Sequence, residues 1–211
     1  MAGNQALKSD TASIDELLIG ENHHRAGNLA RAESIYRQVL ASDPEHSEAL
    51  RLLGLLAHQT GNLEQASNLL SRATKAQPDN IEAHFNLGVT YLDQGLPEKA
   101  VAALEAALAL DPDYARAREE YAWLLLYGWI FRFEDSLAPP AELKENAIRA
   151  LELDPSDALT RRTAAYGYFL DKQIELFRRH ADRALEMAPN NAGILVQLGM
   201  AFSFIGEWDK G

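Results

Sequence analysis

The sequence predicts an all-α fold, a solenoid of stacked antiparallel helix pairs. Three observations carry that prediction. Pro44, Pro78, Pro112, Pro155 and Pro189 are separated by 34, 34, 43 and 34 residues. Gly20, Gly54, Gly88, Ala122, Ala165 and Gly199 are separated by 34, 34, 34, 43 and 34. Between these rulers, Gly27, Gly61 and Gly95 keep the same period, as do Ala32, Ala66 and Ala100. Independent positions that share one spacing define a repeated structural unit. Both long rulers place the single excess after Ala122 and before about Pro140.

The repeats fall at about 13–46, 47–80, 81–114, 115–157 (with the insertion), 158–191 and 192–211, the last incomplete. Residues 1–10 are expected to be a flexible tail, and 11–211 a single array. Ser13 and Glu16 fit a capping box, which predicts the first helix start there. The third repeat shows the pattern most clearly. Ala83, Leu87, Gly88 and Tyr91 recur at three- and four-residue spacing, one face of a helix. Gly95 supplies the left-handed stop, and Pro97 starts the next helix where its missing N–H costs nothing. Ala100, Leu104, Ala107 and Leu108 form the second stripe. Asp111-Pro112 ends it, because a residue before proline is pushed out of the α region. Gly88 and Ala100 lie where the two helices cross, and small side chains there permit close approach. One hairpin cannot bury both of its faces, whereas stacked copies can.

These residues resemble the tetratricopeptide repeat (TPR), whose pattern has large residues at positions 4, 7, 11 and 24, small ones at 8, 20 and 27, and proline at 32. The third repeat reads His84, Leu87, Gly88, Tyr91, Ala100, Leu104, Ala107, Pro112. The second reads Leu50, Leu53, Gly54, Ala57, Ala66, Leu70, Ala73, Pro78, and the first Glu16, Ile19, Gly20, His23, Ala32, Tyr36, Val39, Pro44. The resemblance covers about residues 11 to 211. It implies a right-handed superhelix of five full repeats plus a sixth helix A.

The later repeats depart from the pattern. The fourth has Tyr121, Ala122 and Leu125, then the insertion, then Leu143, Ala147, Ala150 and Pro155. The fifth has Phe177 where a small residue is expected, which puts its inter-helix angle in question. The insertion lies within Tyr121 to Leu137 and predicts an extended helix 4A, with helix 4B starting near Pro139-Pro140. Its aromatics pack an elongated hairpin in one reading. In the other, Tyr127, Trp129, Phe131 and Phe133 form a partner-binding ridge. Leu195, Leu198, Phe202 and Phe204 have no following helix in the sequence to cover them. We therefore expect the polypeptide to continue past Gly211, with burial in a dimer as the alternative.

The resemblance also implies a ligand surface, since helix A lines the concave side in this family. Carried over, that surface comprises Glu21 and His24, then Arg51, Leu55 and His58, then Phe85, Val89 and Leu92 with Asn86 beside them. It continues with Trp123 and Leu126 beside Glu119, then Arg162, Tyr166 and Phe169, and ends on Val196 and Met200. It is apolar and aromatic in the middle and suits a peptide with apolar anchors. Leu17, Glu21 and Leu55 stand where the chaperone-tail carboxylate clamp would need Lys and Asn. The asparagine ladder of protein O-GlcNAc transferases is represented only by Asn86 among Leu18, Leu52, Asn86, Glu120, Thr163 and Gln197.

Composition narrows the function. Lys plus Arg number 20 against 31 Asp plus Glu, a net charge of −11. That excess disfavours nucleic acid and anionic membranes. The longest apolar stretch, Tyr121 to Phe131, is shorter than the roughly 18 residues a membrane span needs. Met1 to Asp10 lack the apolar core of a signal peptide, so the expected location is cytoplasmic. No cysteine is present, which removes thiolate chemistry. Glu21 and His24 have a metal-ligand spacing, but no second Glu-x-x-His accompanies them, and they read as groove wall. His24 and His58 occupy equivalent positions, either as solvated polar residues or as a pH-sensitive patch. Arg178, Arg179, His180 and Arg183 read as a solvated helix face, with contact to an acidic partner as the sharper alternative. No phosphate loop or nucleophile elbow occurs. We expect neither metal nor cofactor.

The expected function is non-catalytic binding of a protein or peptide segment in the concave groove. Two alternatives stand beside it. One is the recognition arm of a larger enzyme, either glycosyltransferase-like (whose N-terminal repeats these resemble) or a cyclase-type regulator with a similar aromatic-rich repeat. The other is a scaffold that self-associates through the uncovered C-terminal helix.

Overall fold

A computed structural model describes residues 2–131 and 140–206, with the backbone alone at 2–12, 130, 131 and 140. The described residues form eleven α-helices and no strand. Two compact halves are distinguished, Met1–Leu110 and Asp111–Gly211.

The N-terminal half holds α1 (Ala2–Arg25), α2 (Leu29–Ser42), α3 (Ser47–Gln59), α4 (Leu63–Ala76), α5 (Ile81–Asp93) and α6 (Pro97–Leu110). They pair as α1–α2, α3–α4 and α5–α6, and each second helix packs on the first helix of the next pair. The first helix begins at Ala2, ahead of Ser13, so Ser13 lies inside the helix and not at its cap. Asn80 caps α5 by accepting the Ala83 N–H at 3.0 Å, and His46 does the same for α3. At the hairpin turns Gly27, Gly61 and Gly95 take φ of 78°, 78° and 70°, the left-handed closure the sequence predicted. Residues preceding the prolines, Asp43 and Gln77, are extended, which stops α2 and α4.

The C-terminal half holds α7 (Ala115–Phe131), α8 (Pro140–Leu153), α9 (Ala158–Leu170), α10 (Ile174–Met187) and α11 (Ala192–Phe204). Helix α7 is 17 residues long against 13 for α9, and α8 starts at Pro140, as the insertion predicted. Lys172, φ 59°, stands at the hairpin position that glycine holds in the first three repeats.

The expected helix crossing is present, with one exchange of volumes. In the first three repeats a glycine on helix A receives a large residue from helix B. A Cβ on Gly54 would lie 2.8 Å from Leu70 Cγ, one on Gly88 2.8 Å from Leu104 Cγ, and one on Gly20 2.6 Å from Tyr36 Cε1. Their partners four residues earlier, Ala32, Ala66 and Ala100, are small and fully buried. Repeats four and five invert the pair. Leu143 and Phe177 take the early position, Ala147 and Ala181 the later one, and alanine replaces the glycine at Ala122 and Ala165. Phe177 is fully buried between Phe169 and Phe202, with ring centroids 5.5 and 5.0 Å away. Phe177 is accommodated by this compensating exchange, which sets each large residue beside small ones.

Candidate functional site

Helices α1, α3 and α5 bring residues one period apart side by side. In the N-terminal half α1 and α3 form an open cavity of about 460 Å³ lined by Glu21, His24, Arg25, Arg51, Leu52, Leu55 and Gln59. Arg51 is its fixed point. Glu48 grips the guanidinium with both oxygens, at 2.8 and 2.5 Å, and Glu21 lies 3.9 Å away. Burial works against that charge, yet Glu48 and the carboxylates of Glu82 and Glu21 hold its pKa above the ordinary guanidinium value. Glu21 also accepts from Arg25 at 3.4 Å. Gln59 Oε1 accepts from His24 Nε2 at 2.7 Å, which leaves His24 Nδ1 to accept from the Tyr36 hydroxyl at 3.4 Å. The phenol of Tyr36 is pushed up to about 12 by burial and by the charge of Glu21, so it stays a donor. One repeat on, His58 Nε2 donates to Asp93 Oδ2 at 2.7 Å.

The carried-over residues divide by exposure. Glu21, His24, Arg51, Leu55, His58, Val89 and Leu92 are partly exposed on the helix-A side. Phe85 and Asn86 are buried at 4% and 7% exposure and support the wall from beneath. The Asn86 side-chain nitrogen has no hydrogen-bond partner in the structure. Glu21 and His24 are engaged by arginines, Gln59 and Tyr36. Among the described residues no three His, Asp or Glu side chains converge to hold a metal.

In the C-terminal half the wall is a buried polar network. Arg162 donates to Glu119 at 2.8 Å, with both side chains 7% exposed, and to Gln197 at 2.8 Å. Thr163 donates to the same Glu119 oxygen at 2.7 Å. The guanidinium lies 4.0 Å from the Trp123 ring centroid, a cation–π contact. Burial raises the Glu119 carboxyl pKa, opposed by the charge of Arg162. Tyr166 donates to the Gln197 carbonyl and packs edge-on against Trp123 and Phe169. Burial pushes its phenol up to about 12. Leu126, Arg162 and Tyr166 are therefore buried, Trp123 and Phe169 partly exposed, and Val196 and Met200 exposed. Of the aromatic ridge, Tyr127 and Trp129 are 43% and 50% exposed; the Phe131 side chain and Phe133 lie outside the described residues.

The basic cluster is mostly consumed locally. Arg178 pairs with Glu175 and Arg183 with Glu186. His180 stacks on Tyr168 at 5.1 Å. Burial and the cations of Arg161 and Arg179 hold its pKa below the ordinary imidazole value. An imidazole depressed in the folded state stabilises the fold above its unfolded pKa. That contribution is lost as pH falls through the unfolded value and then the folded one. His180→Phe is expected to flatten the fall in stability between about pH 7 and 5. Urea midpoints at both pH values check this, and an unchanged slope contradicts it.

Sequence reasoning missed Gln59, Asp93 and Gln197 as parts of the wall. A signal existed. His24–Gln59, His58–Asp93 and Arg162–Gln197 all span 35 residues, one period plus one.

Antiparallel helix pairs that recur at a fixed period define an α-solenoid repeat protein. Tetratricopeptide-repeat family models match residues 23–88 and 81–114. The chain belongs to the tetratricopeptide-repeat family. The fold is that of protein-interaction modules and is generally non-catalytic. A Thermobaculum terrenum O-GlcNAc transferase is similar over 68% of this chain at 33% identity, with a TM-score of 0.59. The chain spans only 26% of that transferase. The pilF protein of Pseudomonas aeruginosa matches 96% of this chain and 88% of its own, at 20% identity and a TM-score of 0.77. YrrB, described as a TPR protein with an unusual peptide-binding site, matches 92% and 96%, at 19% identity and 0.63. These last two likenesses show the fold alone. No curated protein matches the chain significantly. Among the described residues no helix is long and apolar enough to cross a membrane.

Proposed function

We propose that this chain is a non-catalytic module that binds an extended or helical segment of a protein partner on its helix-A face, with the cavity around Arg51 and Leu55 as the anchoring point. The observation that carries this is the cavity itself, where fixed polar groups of Glu21, His24, Arg51 and Gln59 surround apolar Leu55. Concave sites with a few placed polar groups and an apolar body are the usual form of a recognition pocket. A peptide selected from a displayed library against the full chain supplies the probe. Leu55→Asp is expected to weaken that peptide at least tenfold, about 1.4 kcal/mol. Unchanged affinity with full helical content contradicts the reading.

A second reading has one observation in its favour, the 33% identity with a segment of an O-GlcNAc transferase. In it the same face selects protein substrates for a catalytic domain encoded beyond codon 211. A transferase motif in that stretch of the gene supports this reading, and a stop codon there removes it.

A further inference from the structure

An arginine in a cavity wall is ordinarily a receiver of anions, because its planar fork matches a carboxylate or phosphate. Arg51 is already occupied. Glu48 holds both prongs of its fork, and the arginine side chain is only 13% exposed. Glu21 is the carboxylate that lines the cavity, and its side chain is 31% exposed. Among the described residues no cation lies close to it. Arg25 Nη2 is 3.4 Å from one of its oxygens and Arg51 Nη2 is 3.9 Å from the other. Charge-assisted bonds of this type run about 2.7–2.9 Å. The Arg25 side chain is 69% exposed, so its hold on Glu21 is a weak surface contact.

The balance of charge around the cavity is negative. Glu48, Glu82 and Glu21 act on Arg51 from α3, α5 and α1. Arg25 is the second guanidinium at the cavity. Three carboxylates against two guanidiniums leave one negative charge in excess, on a chain whose net charge is −11. Behind the cavity the Tyr36 phenol is raised by burial first and then by Glu21, whose charge outweighs that of Arg51 there.

We propose that the segment bound at this cavity is basic, setting an apolar side chain on Leu55 and a neighbouring Lys or Arg cation on the Glu21 carboxylate. The inference rests on the helix-A reading given above and adds the chemistry of its occupant. Glu21 and Leu55 hold the same position in successive repeats, 34 residues apart, and both line the cavity. An acidic and an apolar group therefore stand side by side, on α1 and α3. A basic segment displaces only the exposed Arg25 side chain. An acidic segment brings its charge against Glu21 and Glu48, and it reaches Arg51 only by breaking the grip of Glu48.

Peptide display against the full chain tests this, with the affinity of recovered peptides read by fluorescence anisotropy. The recovered peptides are expected to carry Lys or Arg next to an apolar residue. Replacing that Lys or Arg by Gln in the peptide is expected to weaken binding roughly tenfold, and Glu21→Gln in the protein by a similar factor. The two changes together are expected to cost little more than either one, because they remove the same contact. Arg25→Ala, which removes the competing cation, is expected to tighten the basic peptides. Leu55→Asn changes no charge and separates this inference from the reading beneath it. Peptides that weaken on Leu55→Asn but are acidic or neutral, or are indifferent to Glu21→Gln, overturn the basic occupant and leave the cavity reading standing. Peptides indifferent to Leu55→Asn, or a library that yields none, overturn both. The peptide-side replacement needs no protein variant, so it decides the matter if circular dichroism shows Glu21→Gln unfolded.

Discussion

Arg162→Met is expected to destabilise the C-terminal half by about 3–5 kcal/mol at neutral pH, the range for breaking a buried ion pair on one side. The methionine fills much of the volume over Trp123, so the loss is electrostatic. Glu119 keeps only the Thr163 hydroxyl for its charge. Its escape is to take a proton. Neutralising a carboxyl of ordinary pKa near 4.5 at pH 7 costs roughly 3.4 kcal/mol, at 1.36 kcal/mol per unit, which agrees with the expected loss. The same reasoning sets the pH dependence. With its carboxyl pKa raised in the folded variant, Glu119 favours the fold at low pH, and that favour is lost as pH rises through the raised value. The gap between variant and wild type therefore narrows toward pH 4.5. Adding Glu119→Gln, which needs no counter-charge, is expected to recover most of the loss. Urea unfolding of the two single variants and the double decides the matter. Additive losses would show that the pair is not coupled.

Leu104→Ala is expected to cost about 2–5 kcal/mol, because the side chain fills the space over Gly88 and leaves a void when removed. Gly88→Ala alone puts a Cβ 2.8 Å from Leu104 Cγ, an overpacking worth about 1–3 kcal/mol, less what alanine gains in helix propensity. Combining both with Ala100→Leu writes the arrangement of Ala122, Leu143 and Ala147 into the third repeat. This triple variant is expected to regain at least half of the stability lost by Leu104→Ala. A triple variant as unstable as the sum of its parts would mean that the exchange in repeats four and five depends on something other than volume.

Much of this arrangement is legible in the sequence because backbone requirements repeat. Proline after the second helix and a left-handed residue between the helices fix the hairpin, and Pro44 or Gly61 can be read without knowing their neighbours. The extension of α7 and the restart at Pro140 follow from one break in the period. Phe177 was harder to place, since its meaning lies in Ala165 and Ala181, two small residues that agree with it only when taken together. The first helix was misplaced because Ser13 and Glu16 satisfy a capping pattern that the preceding Ala2–Ala12 segment overrides by continuing the helix. The site was less legible than the fold. The family resemblance implies Phe85, Arg162 and Tyr166 for the ligand surface, but exposure depends on what the neighbouring helix carries. Gln197 and Glu119 consume Arg162, and Tyr166 is tied to the Gln197 backbone. Leu55, by contrast, lies beside side chains that are tied to one another and not to it, and it remains open to the cavity.

On the proposed function, a partner segment lies against the A helices of the N-terminal half. Site-specific photocrosslinking tests this placement. A benzophenone side chain is placed at Leu55, inside the cavity, and separately at Arg37, on the exposed side of α2. The library-selected peptide is expected to crosslink from position 55, with unlabelled peptide competing, and not from position 37. Labelling from position 37 with none from position 55 would contradict the claim and place the binding surface on the B helices.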